Sequence, residues 1–371
     1  MLRVMHFADL INKDDFIDII IQQASRAEFR FFACTRTSRS NIATPDCLPD
    51  VRRFVIPGLS RGNIPVAALC LAVLLRRFKI DILHTHHYDP AVIGWLATRL
   101  NQRTNFVIGR HYSDAIYQLS GGIRKSILLG IEARTNSAAD RIIVPSGMIR
   151  QLLVEQGVDC AKIEVVHYAF SPDKWREAEG ADRAALRASL GLEGVVFGQF
   201  GRMDFPKGYS YLLKAVAKLR PLLPDFKVIL VGDGPMRAEI EREIGRLDLR
   251  ESIRLIGWRT DALKIMAAVD VVVHPTLMEA FSQTMIEALY LKKPLIMTSV
   301  SGAIDIIDNG VNGLLIPPRD SDALAEAMQR LAADPTLRIK LGEAGHHYVE
   351  CNLLAERVIP QYEQIYRSLA H

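Results

Sequence analysis

Along the chain, short runs of apolar residues alternate with longer segments in which apolar positions recur at helical spacing. In the first half the runs predict strands over 2–7, 29–34, 53–56, 80–84, 106–109, 141–144 and 163–166. Helix-length segments fall between them, near 14–27, 64–79, 90–101, 121–138 and 147–157. After a polar stretch from Ser171 to Gly180 the pattern restarts, with strands over 195–200, 227–231, 253–256, 271–274, 295–298 and 313–316. Strands that are apolar throughout are buried on both faces, and their alternation with helices predicts a parallel sheet. The fold class is α/β: two Rossmann-like, doubly wound parallel-sheet domains, an N-terminal one over 1–170 and a C-terminal one over 171–354. Two such domains in series suggest a cleft between them. In open α/β sheets, ligands bind where the carboxyl ends of strands lead into helices, so chemistry is expected in those loops.

Composition narrows the class without changing it. The 371 residues are 49% hydrophobic and 24% charged, which excludes a disordered chain, a collagen-like repeat or a coiled-coil fibre. Lys+Arg 46 against Asp+Glu 42 leaves a charge of +4, too small an excess to imply a nucleic-acid partner. Cys34, Cys47, Cys70, Cys160 and Cys351 lie far apart with no CxxC pair, the usage of a reduced, cytoplasmic protein. The first residues turn polar too soon for a signal peptide. The longest apolar run, over 64–75, falls short of the roughly 20 residues of a spanning helix.

Two loops of the second half carry candidate chemistry. After strand 195–200 comes Gly201-Arg202-Met203-Asp204-Phe205-Pro206-Lys207-Gly208. Gly201 permits a sharp turn, Gly208 opens the next helix, and Arg202 and Lys207 can converge on one anion. A charge-assisted hydrogen bond to a phosphate oxygen contributes roughly 1.5–3 kcal/mol. A solvated loop with two incidental cations is the plain alternative. After strand 271–274, Pro275 ends the strand and Ser282 has the chemistry of a helix N-cap. Backbone N–H groups around Gln283 and Thr284 then make an anion site. Glu279 precedes this helix and Glu287 sits more than a turn inside it. A carboxylate accepts from two neighbouring hydroxyls, which suits a ribose or hexose diol; two ordinary helix-start acids would follow from the dipole alone.

Glu279 and Glu287, with seven residues between them, resemble the Glu–seven–Glu motif of the retaining GT-B glycosyltransferases of glycosyltransferase family 4. The loop from Gly201 to Gly208 is similar to that family's donor-phosphate loop. Val231-Gly-Asp-Gly-Pro235, Ile256-Gly-Trp258 and Val311-Asn-Gly-Leu-Leu-Ile-Pro317 follow its landmarks in order. The resemblance is strong from about 195 to 320 and loose before it. It implies the GT-B fold, with an acceptor-binding first domain, a donor-binding second domain and a C-terminal helix near 355–371 packing back on the first. It further implies a cytoplasmic, retaining, metal-independent hexosyltransferase using a nucleotide-diphosphate-sugar donor, with no other cofactor. The acceptor would be a glycan or lipid-linked hydroxyl in envelope or exopolysaccharide synthesis. Arg202 and Lys207 would bind the diphosphate and stabilise it as it leaves, with Gly201 shaping their turn. Glu287 would bind the donor ribose and Glu279 the hydroxyls of the transferred sugar. Ser282, Gln283 and Thr284 would present backbone amides. Trp258 and Arg259 lie where the family packs the nucleobase, although Trp258 would equally serve as a core aromatic. His111, at the carboxyl end of strand 106–109, would contact the transferred sugar or the phosphate. Two departures stand out: His6 to Asn12 contains no glycine, and Ser282 replaces a common glycine. A sugar-nucleotide epimerase of the same fold and a non-catalytic nucleotide-sugar-binding subunit are the competing functions.

His84-Thr85-His86-His87 places His84 and His86 on one strand face, but no third ligand with recognisable spacing follows, so no metal site is expected. His86 or His87 is expected to line the acceptor side, and His346 and His347 to lie at the surface. The apolar segment 66–79 ends in Arg76, Arg77 and Lys79, which suits the C-terminus of a buried crossover helix. Together with Arg52, Arg53 and Arg61 these cations would also make a peripheral surface for anionic lipid at the inner face of the cytoplasmic membrane.

Overall fold

The computed structural model describes residues 1–9, 11, 16–36, 51–56, 63–111, 122–223 and 225–370. Cys47, Arg61 and part of the loop after the first strand lie outside them. The chain divides into two units, Met1–Ser171 with Leu353–His371, and Pro172–Asn352.

The first unit holds seven parallel strands: β1 Leu2–Ala8, β2 Phe29–Thr35, β3 Arg52–Val55, β4 Ile82–His86, β5 Asn105–Gly109, β6 Arg141–Val144 and β7 Ile163–Val165. Their order is β3-β2-β1-β4-β5-β6-β7. The second unit holds six: β8 Val195–Phe200, β9 Phe226–Val231, β10 Ile253–Gly257, β11 Val271–His274, β12 Leu295–Thr298 and β13 Leu314–Ile316, in the order β10-β9-β8-β11-β12-β13. Both are doubly wound α/β sheets. The winding reverses between β1 and β4 and between β8 and β11, and at such points adjacent loops diverge and leave a crevice at the carboxyl ends.

Three expectations change. The fourth strand lies over Ile82–His86 rather than 80–84, because β1 pairs with it as far as Thr85 and β5 as far as His86. A parallel strand paired on both edges can bury polar side chains as long as they find partners. The polar stretch after Ser171 contains the helix Asp173–Glu179, whose Trp175 is buried against Tyr290 at a ring separation of 4.7 Å. It is packed structure of the second unit. His346 is half-buried against Tyr290, while His347 is exposed.

The helix Ala355–Ser368 carries Val358, Ile359, Tyr362, Ile365 and Tyr366 on one buried stripe, and these join Val4, Phe29, Ile82 and Val107 in the core of the first unit. An amphipathic helix needs a core for that stripe. Its entry is fixed by Ala355 N donating to Phe170 O at 2.9 Å.

Candidate active site

β8 and β11 are neighbours, with Phe197 opposite Val271 and Gly198 opposite Val272, so the loops that follow them leave the sheet side by side. Gly208 has φ 69°, and a Cβ there would fall 1.9 Å from Pro275 O. Only glycine tolerates that conformation and that approach together. The loops are also stitched by hydrogen bonds to Pro206 O from Thr276 Oγ1 at 2.9 Å and from Leu277 N at 2.6 Å. Gln199 Nε2 donates to Lys207 O at 2.8 Å and anchors the backbone of that lysine.

Lys207 Nζ donates to Glu279 Oε2, and both side chains are about four-fifths buried. The same carboxylate oxygen lies 3.5 Å from His274 Nε2. Burial alone would raise the Glu279 carboxyl, but its hydrogen bond with His274 and the charge of Lys207 outweigh that and hold it below the ordinary value. His274 is pushed down by burial. Its Nε2 lies 3.2 Å from Ser282 Oγ, which accepts from Met285 N at 3.2 Å and caps the helix Gln283–Tyr290. The first N–H groups of that helix, at Gln283 and Thr284, have no intrahelical partner and carry its positive end. Cation, carboxylate and helix start are thus gathered within one pair of loops. Ser282→Ala should cost about 1 kcal/mol by loss of the cap, read as a shift in urea midpoint at unchanged slope.

The other second-unit candidates are placed differently. Arg202 is largely exposed, with its guanidinium 3.7 Å from Asp204. Glu287 accepts from Gln283 Nε2 at 2.9 Å. Arg259 forms a two-point pair with Asp261, both bonds at 2.7 Å. Trp258 is 71% exposed, so it is not the core aromatic that its sequence context allowed. His274 was not anticipated; the signal for it was a single polar side chain closing the apolar strand before Pro275.

In the first unit, the carboxyl ends of β1, β4 and β5 gather a buried histidine cluster. His6 Nδ1 lies 2.9 Å from His86 Nε2, and His86 Nδ1 lies 2.9 Å from His111 Nε2. His111 Nδ1 is 3.0 Å from the Tyr168 hydroxyl, and His84 Nδ1 is 2.8 Å from that of Tyr366. His111 therefore has both ring nitrogens engaged. His86 is fully buried and does not line an exposed acceptor surface. One nitrogen from each of His6, His84 and His86 lies within 4.8 Å of the others, so the third imidazole near the His84–His86 pair comes from β1. A metal ion would find these three rings, but they are already engaged with one another and with Tyr366. Burial lowers His6 to about 3. It also holds His84, His86 and His111 well below the ordinary histidine value, and the neighbouring rings add to the effect.

Residues 182–348 match the family model described as glycosyl transferases group 1, and residues 17–174 match that of glycosyltransferase family 4. The 2-deoxystreptamine glucosyltransferase of Streptomyces kanamyceticus is 30% identical over 317 residues, covering 81% of each chain. The chain belongs to glycosyltransferase family 4. This glycosyltransferase is also 28% identical to the Escherichia coli UDP-Gal:alpha-D-GlcNAc-diphosphoundecaprenol alpha-1,3-galactosyltransferase, over 79% of its own length and 78% of the relative's. Its fold matches Anabaena HepE, solved in complex with UDP, at a TM-score of 0.83 and 21% identity, over 99% of this chain and 100% of the other.

Proposed function

We propose that this glycosyltransferase moves a sugar, with retention at the anomeric carbon, from a nucleoside-diphosphate sugar to the hydroxyl of a glycan or lipid-linked acceptor. The observation that carries the reading is the Lys207–Glu279 contact at the β8/β11 crevice, beside the helix start capped by Ser282. Lys207, Arg202 and the N–H groups of Gln283 and Thr284 stabilise negative charge as the phosphate–sugar bond breaks, a preorganised role that side chains and a helix terminus can fill. Glu279 accepts from the sugar hydroxyls and Glu287 from the ribose. Trp258 and Arg259 meet the nucleobase, and His111 meets the transferred sugar or phosphate. The relative that acts on a diphosphoundecaprenol-linked acceptor, and the fold neighbour solved with UDP, support a lipid-linked acceptor and a uridine donor.

Thermal-shift screening against uridine, guanosine and adenosine diphosphate sugars tests the donor. One class should raise Tm in proportion to the logarithm of its concentration, and a flat response to all three would remove the donor assignment. Turnover should survive a chelator; loss restored by added metal would overturn the metal-independent part.

No helix among the described residues is long and apolar enough to cross a membrane. The helix Ile64–Arg77 does leave Val66, Leu69 and Val73 exposed on one face, above exposed Arg76 and Arg77. That pattern fits peripheral contact with anionic lipid at the cytoplasmic face. Vesicles containing anionic lipid should sediment the protein at low salt, and neutral vesicles should not. Equal behaviour would exclude the contact.

A further inference from the structure

The first unit contains an unbroken hydrogen-bonded chain that runs Tyr168–His111–His86–His6–Tyr366–His84. Its links are 3.0, 2.9, 2.9, 3.5 and 2.8 Å long. The strand register builds it: His6 pairs with His84 across β1 and β4, and His86 with Gly109 across β4 and β5. A Cβ on Gly109 would fall 2.5 Å from His111 Nε2 and 2.8 Å from His86 Nδ1, so the glycine makes room for that link. Tyr366 arrives from the C-terminal helix, 360 residues away from His6.

A neutral imidazole offers one N–H and one lone pair. With every ring engaged at both nitrogens except His84, the donors of His6, His86 and His111 must point the same way. Tyr366 continues that order, since accepting from both His6 and His84 would leave its own buried hydroxyl hydrogen without a place in the chain. Two orders exist, and they differ at the buried end. His84 Nε2 has no partner among the described residues. In one order it is an orphaned N–H; in the other it is a bare lone pair. Buried N–H groups without a partner are the rarer defect in folded proteins.

We propose that the chain is proton-ordered from His84 towards Tyr168, so that Tyr366, His6 and His86 act as positioning residues that hold His111 in the tautomer protonated at Nδ1. In that order His84 donates to Tyr366, Tyr366 to His6, His6 to His86, His86 to His111, and His111 to the Tyr168 oxygen. The outer nitrogen of His111 is then a donor, able to exchange Tyr168 for a sugar or phosphate oxygen. The opposite order would present a lone pair there, which could take a hydrogen from a sugar hydroxyl but would repel a phosphate oxygen, an acceptor only. This consequence rests on the reading of His111 as a donor-substrate contact, whereas the proton order does not.

Ring-nitrogen NMR on protein carrying ¹⁵N-histidine tests the order without any substrate. In the wild type, His111 should show a protonated Nδ1 and an unprotonated Nε2. Tyr366→Phe removes one oxygen far from His111 and should convert it to a mixture of tautomers. If that variant does not fold, Tyr168→Phe, at the half-exposed end, should do the same. The proposal is overturned by a wild-type His111 protonated at Nε2, or by a His111 spectrum unmoved in a folded variant. It is overturned too if one equivalent of Zn²⁺ shifts the ring nitrogens of His6, His84 and His86 together, since the cluster would then be a metal site. In transfer assays Tyr366→Phe should lower kcat about tenfold, the value of one hydrogen bond. An intact tautomer pattern in an enzyme with no turnover would refute the functional reading while leaving the proton order standing.

Discussion

Lys207→Ala should lower kcat for sugar transfer by about two to three orders of magnitude, with a much smaller change in KM for the donor. That is the range found when one preorganised donor to a developing negative charge is removed. The lysine qualifies because its backbone is held by Gln199, its loop is locked to Pro275 and Leu277, and its ammonium rests against Glu279. An ammonium fixed this way pays little reorganisation cost when charge builds on the leaving phosphate. Loss of a contact made equally in the ground state would raise KM and leave kcat unchanged, so the split between the two identifies the step. Glu279→Gln separates the parts: it keeps a partner for Lys207 and a side chain that can hydrogen-bond a sugar, while losing the charge that holds the ammonium in place. Both variants should keep the wild-type circular dichroism. A Lys207→Ala protein that is folded and releases nucleoside diphosphate at close to the wild-type rate would take the lysine, and the site with it, out of the mechanism.

Acid should destabilise the first unit well before its carboxylates titrate. His6, His84, His86 and His111 are all lowered by burial, His6 to about 3. Below about pH 6.5 the unfolded chain binds protons at these rings and the folded chain does not. Stability is therefore complete above that value and falls as pH drops towards the folded values, by up to about 1.4 kcal/mol per pH unit for each ring that stays neutral. Glu279, whose carboxyl is lowered in the fold, adds its own loss only in the more acidic carboxylate range. Urea denaturation at about pH 7 and about pH 5.5 measures the histidine part alone. Equal stabilities at the two values would mean that the rings are not buried as neutral groups. His86→Gln should reduce the slope by one proton.

Much of the architecture was legible along the chain, since a strand apolar at every position next to a helix with one apolar stripe is a local pattern. Four of the thirteen strands, at 141–144, 195–200, 271–274 and 295–298, begin and end where the apolar runs do. The fourth strand was misplaced because Thr85 and His86 look like loop residues until β1 and β5 are known to pair with the first and β5 with the second. The glycines, cations and acids of the two second-unit loops were also visible, since they are the residues a tight turn near an anion requires. Which of them touch was not. Arg202 and Lys207 share a loop, yet only Lys207 turns to Glu279 while Arg202 sits near Asp204.

The order of apolar and polar residues by itself determined two doubly wound sheets, and spacing within single loops determined which residues belong to the donor motifs. These are short-range properties, set by backbone period and turn chemistry. Only the tertiary structure decided that β8 lies beside β11, so that Lys207 reaches a carboxylate 72 residues on, and that the last helix returns to place Tyr366 on His6 and His84. Strand order follows from the right-handed crossovers of the whole sheet, and the docking of a terminal helix follows from which core can bury its apolar stripe. Both depend on surfaces that exist only once the rest of the chain has folded.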